Sequence, residues 1–122
     1  MRKFENILTT DAFLEAITLP RAIVYFQVDW SGPERLSRLF VKRAIASLDV
    51  KMTPVFRIDC SNATGGFIES WFESQSKEII GLLYGGWGET LLLSYGNILD
   101  FISYPAALGY ENTRQKIEGW IN

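Results

Sequence analysis

The apolar positions along the chain alternate between two periodicities. Ala22-Ile23-Val24-Tyr25-Phe26-Gln27-Val28 is a near-continuous apolar run rich in β-branched and aromatic residues, which predicts a central strand covered on both faces. From Pro33 to about Leu48 the pattern changes: Leu36, Leu39, Phe40, Ile45 and Leu48 recur at helical spacing with Arg35, Arg38, Lys42 and Arg43 between them, which predicts an amphipathic helix lying on a sheet. Ahead of the strand, Thr9-Thr10-Asp11 caps a first helix whose inward residues are Phe13, Leu14 and Ile17, and Pro20 stops it. Lys51 to Asp59 reads as a second core strand, with Pro54 placing it at an edge or Pro54 at its start.

The second half continues the alternation. Cys60 to Gly66 is a loop by composition, and Phe67 to Leu83 keeps helical period through Ile68, Trp71, Phe72, Ile79 and Leu82 until Gly85-Gly86-Trp87-Gly88 ends it. Thr90 to Tyr95 and Ile98 to about Ala106, joined by a turn at Gly96-Asn97, predict an antiparallel hairpin. Asn112 and Gln115 form a capping box that opens a last helix, with Ile117, Trp120 and Ile121 inward. The order α-β-α-β-α-β-β-α implies an α/β fold: one domain over residues 1–122, with a central mixed sheet of about four strands flanked by helices on both faces.

Composition narrows the function. The chain contains no histidine, which excludes a Ser-His triad, a His-ligated metal and imidazole acid–base work. Its single cysteine, Cys60, cannot form an intramolecular disulfide and fits a reducing, cytoplasmic setting, where it reads as a small buried hydrophobe. Neither a signal-peptide core at the N-terminus nor a membrane-length apolar run is visible. Twelve basic and 14 acidic residues leave a net charge of −2, so the basic stripe Arg35, Arg38, Lys42 and Arg43 reads as a solvated helix face rather than a nucleic-acid footprint.

The order of elements and three local strings resemble the thioredoxin family. Val24 to Pro33, a strand followed by Asp29-Trp30-Ser31-Gly32-Pro33, is similar to the family's strand and its Trp-Cys-Gly-Pro-Cys motif. Gly88-Glu89-Thr90-Leu91-Leu92-Leu93 is similar to its Ile-Pro-Thr strand start, and Gly109 matches a glycine beside its substrate groove. The resemblance covers essentially the whole chain, with an extra dozen or so residues in the Gly65 to Gly88 region. It implies a thioredoxin-like fold and, at the chemical positions, a loss. Where the family has its nucleophilic and resolving cysteines this chain has Ser31 and Glu34; its buried carboxylate aligns with Tyr25, and its cis-proline with Glu89. Neither a serine hydroxyl nor a carboxylate can make or resolve a disulfide, so the resemblance implies a domain without dithiol–disulfide oxidoreductase activity.

What remains at that edge admits three readings. Ser31-Gly32-Pro33-Glu34 has the form of a capping box with proline in the first helical turn, worth roughly 1 kcal/mol. Asp29, Glu34 and Glu89 could converge as a carboxylate cluster for a cation or acid–base work, or Ser31 could handle glutathione, which would make the chain an enzyme. The favoured reading is a binding or scaffolding module that needs no cofactor or metal. Its recognition patch for a protein or peptide comprises Trp30, Ser31, Gly32, Pro33, Glu34, Trp87, Glu89 and Gly109. Homodimerisation through Phe67 to Leu83 or an exposed strand edge is the structural alternative, and neither nucleic acid nor membrane is expected as a partner.

Overall fold

The computed structural model describes residues 5–7, 15–28, 32–49, 53–59 and 86–121. Five strands form one sheet: β1 (Glu5–Ile7), β2 (Ala22–Gln27), β3 (Val55–Asp59), β4 (Thr90–Ser94) and β5 (Asn97–Ile102), in spatial order β1-β3-β2-β4-β5. The four strands expected from the sequence are all present, and β1 adds a short fifth at the edge. β1 and β2 both run parallel to β3, whereas β4 runs antiparallel to β2 and to β5. The sheet is mixed, and β2 sits at its centre. Three helices are described in full: α1 (Gly32–Ser47), α2 (Pro105–Leu108) and α3 (Tyr110–Ile121).

Strand alternation divides the core in two. Ala22, Val24 and Phe26 of β2 join Phe56, Ile58, Leu91, Leu93 and Ala16 on one face. Ile23 and Tyr25 point the other way, into a cluster with Val41, Ala44 and Ile45 of α1 and Ile117 and Trp120 of α3. Trp120 also uses its polar edge, donating from Nε1 to Asp100 Oδ2 at 2.9 Å, while its carbonyl accepts from Arg21. Burial alone would raise the Asp100 carboxyl, but the Trp120 indole, the Phe101 amide and Lys116 together hold it below its ordinary value.

Several local expectations are corrected. Leu36 and Leu39, expected inward, are about half exposed, and Phe40 is only half-buried; α1 instead buries Glu34, Ser37, Val41, Ala44 and Ile45, a stripe of the same period rotated around the helix. Small and polar residues face the sheet there because Tyr25 and Gly88 fill the space beneath. The hairpin turns at Tyr95 and Gly96, both with positive φ as a type I′ turn requires, so Asn97 already pairs with Ser94 in β5. β5 ends at Ile102 rather than near Ala106, since Pro105 stands in the first turn of α2, where its missing N–H is no loss.

The last helix opens at Tyr110 behind Gly109, and the Asn112 amide donates to the Leu108 carbonyl instead of forming a capping box with Gln115. β3 is internal and Pro54 immediately precedes it, its carbonyl accepting from the Ile23 amide. The expected helix from Phe67 to Leu83 with Trp71, the loop with Cys60, and the N-terminal part of the first helix lie outside the described residues. No helix among the described residues is long and apolar enough to cross a membrane.

Candidate functional site

The candidate site lies where the end of β2 meets the first turn of α1 and the segment entering β4. The alternation of β2 points Tyr25 toward α1, and its ring is fully buried. The Tyr25 hydroxyl donates to Glu34 Oε1 at 2.9 Å and lies 3.1 Å from the Glu34 carbonyl. Glu34 is itself completely buried, with Oε2 3.4 Å from the Arg38 guanidinium one turn along the helix. A carboxylate in the first turn also favours the positive end of the helix dipole. Burial, reinforced by the adjacent Glu34 carboxylate, pushes the Tyr25 hydroxyl far above its ordinary value. It therefore remains a proton donor across the neutral range.

The cap expected of Ser31 and Glu34 is described on the Glu34 side alone. Ser31, with Trp30 and Asp29, lies outside the described residues, whereas the Glu34 carboxylate points into the fold and engages Tyr25 and Arg38. The reason is packing. Position 34 heads the inner stripe of α1, so its side chain cannot reach solvent.

Gly88 closes the cluster from above. Its φ is +83°, and a methyl group placed on it would stand 2.5 Å from Ser37 Cβ and 2.7 Å from the Tyr25 hydroxyl. Only a glycine facing a small helix residue permits this approach. Ser37 serves as that residue and also accepts from the Ala106 amide at 3.0 Å, which ties the start of α2 to α1.

Glu89 is the second buried carboxylate here. Its Oε1 accepts from the Trp87 amide at 2.7 Å, and its backbone carbonyl accepts from Phe26. Burial raises the Glu89 carboxyl above its ordinary value and the Glu34 charge adds to this, although amides of Trp87, Glu89 and Gly86 pull it back. A raised carboxyl binds its proton more tightly in the folded chain than in the unfolded one. Its stabilisation is therefore present at low pH and lost as pH rises through the folded value. Glu89→Gln keeps the acceptor for Trp87 without the charge; it is expected to raise stability at pH 7 by on the order of 1 kcal/mol and to flatten the decline between mildly acidic and neutral pH. Urea titrations at a series of pH values would measure both.

Trp87 is 43% exposed and its ring lies against Tyr104, centroids 4.7 Å apart. Gly32 and Pro33 stand exposed at the start of α1, and Gly109, at φ +92°, joins α2 to α3. The structure thus gathers Glu34 and Glu89 into one buried polar cluster and leaves Trp87 on the surface. Among the described residues there is no group of three or more Asp, Glu or Cys side chains able to hold a metal ion. Ser37 and Tyr104 were not singled out from the sequence, and Arg38 was read only as part of a solvated helix face; the second stripe of α1, read as 34-37-41-44-45-48, would have shown that Ser37 faces inward.

No protein-family model matches the chain, and no curated protein matches it in sequence. Solved structures do. The oxidised thioredoxin of Plasmodium falciparum superposes with a TM-score of 0.68 at 14% identity, covering 98% of this chain and 100% of that one. A mutant thioredoxin from Halobacterium salinarum NRC-1 gives 0.66 at 12% identity over 98% and 92% of the two chains. An Entamoeba histolytica thioredoxin with cysteine replaced by serine gives 0.64 at 14% identity over 96% and 99%. The chain has a thioredoxin-like fold. Within that fold the Tyr25–Glu34 pair occupies the junction of central strand and following helix, and Gly88-Glu89 approaches it from the start of β4.

Proposed function

We propose that this thioredoxin-like domain has no dithiol–disulfide oxidoreductase activity and serves as a binding or scaffolding module for a protein or peptide. The observation that supports this most directly is the buried Tyr25–Glu34 hydrogen bond. The residue at the resolving position is built into the fold as a structural partner of the central strand, and a group so held is not available to attack a substrate. With Ser31 at the nucleophile's position and Cys60 the only thiol, the chemistry of exchange has no second sulfur within the chain. A reducing, cytoplasmic setting suits a chain with one cysteine.

The recognition patch we assign to it comprises Trp30, Ser31, Gly32, Pro33, Trp87 and Gly109, with the buried Glu34 and Glu89 beside it. Exposed tryptophan beside glycine offers a large contact area at low entropic cost. The double substitution Trp30→Ala with Trp87→Ala is expected to leave the melting temperature within a few degrees of the parent and to abolish capture of partners from a lysate. Capture of the same partners by the double variant would exclude this patch as the binding surface.

A further inference from the structure

The outward face of α1 has a chemistry that its role in the fold does not explain. Leu36 and Leu39 are 46% and 50% exposed, three residues apart and therefore on one stripe of the helix. Exposed Arg35 and Lys42 flank that stripe on one side, and exposed Arg43, seven residues on from Leu36 and four from Leu39, continues it. Arg43 is held over the Tyr110 ring at 4.4 Å, and Tyr110 meets Phe40 edge-on at 6.1 Å, so this rim is an ordered ledge rather than a free side chain. Within the sixteen residues of α1 the single acid, Glu34, is buried on the opposite face. In a chain of net charge −2, this face is positive and apolar together.

From this we infer that the outer face of α1 docks an acidic amphipathic segment of a protein partner, its apolar side chains seated on Leu36 and Leu39 and its carboxylates meeting Arg35, Lys42 and Arg43. The complementary charge identifies the occupant. An anionic membrane would meet only two leucines and a net-negative domain, and a second copy would bring the same cations against themselves.

A phage-displayed library of random 16-residue peptides, selected on the intact chain, tests this without presuming a sequence. The selected pool is expected to be enriched in Asp and Glu around two large apolar residues three or four apart. Synthetic peptides from it should bind at least about tenfold more weakly to Leu36→Asp/Leu39→Asp and to Arg35→Glu/Lys42→Glu, and to retain binding to Trp87→Ala. Because all four positions are exposed, both variants should keep the parent's circular dichroism and melting curve, and binding should weaken as salt is raised. No enrichment, a pool without acidic bias, or binding lost in Trp87→Ala but kept in the leucine variant would overturn the inference. So would tighter association with phosphatidylserine vesicles than with any peptide, or a dimer that Leu36→Asp/Leu39→Asp dissolves.

Discussion

Gly88→Ala is expected to destabilise the domain by roughly 2–5 kcal/mol, the sum of a left-handed backbone forced on a non-glycine residue and an overpacked contact. The two costs have separate origins. The φ of +83° disfavours any L side chain, and the added methyl would meet Ser37 Cβ at 2.5 Å and the Tyr25 hydroxyl at 2.7 Å. Neither neighbour can step aside: Ser37 is fully buried and bound to the Ala106 amide, and Tyr25 is held by Glu34. Thermal unfolding should show a loss on the order of 10 °C. A variant that melts within a degree or two of the parent would mean that the segment entering β4 does not press on the cluster as described.

The second large effect concerns the Tyr25–Glu34 pair, where the expectation is asymmetric. Tyr25→Phe removes the hydroxyl that serves a buried carboxylate, a loss of roughly 1.5–3 kcal/mol. Glu34→Leu should cost less. The Tyr25 hydroxyl keeps the carbonyl of residue 34 at 3.1 Å as an alternative acceptor, and Arg38, a quarter exposed, can turn to water. The double variant should be no less stable than Glu34→Leu alone, because replacing both buried polar partners by apolar groups is often near neutral. Urea unfolding of the three variants gives the coupling energy directly. Additive losses would show that the hydroxyl and the carboxylate do not depend on each other.

Where the chain's periodicity was unambiguous, the sequence announced the fold. The apolar run from Ala22 to Val28 could only be a strand covered on both sides, and the structure buries every residue of β2. The α1 face was legible in period but not in phase: Leu36 and Leu39 are the larger hydrophobes, yet it is Ser37 that fits over Tyr25 and Gly88, where a leucine would not. Tertiary shape overrode hydrophobicity there. The short β1 carries too few residues to show an alternation, and Pro105 marked the start of a helix that strand propensity around Phe101 obscured.

The candidate site was legible as a set of positions and not as an arrangement. Ser-x-x-Glu ahead of an apolar helix has the form of a cap, and nothing local reveals that Glu34 turns inward. The signal lay nine residues earlier, in a tyrosine on a buried strand whose hydroxyl needs a partner. Glu89 follows the same logic, since a carboxylate entering a central strand must find a donor and takes the Trp87 amide two residues back. Long-range pairing of buried polar groups leaves no periodic trace in a single sequence.

We propose that no thiol exchange takes place at this site, where Glu34, aligned with the resolving cysteine, is buried against Tyr25. Dithiothreitol-driven reduction of insulin, followed as the precipitation of its free B chain, measures that exchange directly. The expected result is a rate equal to that of dithiothreitol alone, for the parent chain and for Cys60→Ser alike. A rate above that background, lost in Cys60→Ser, would contradict it.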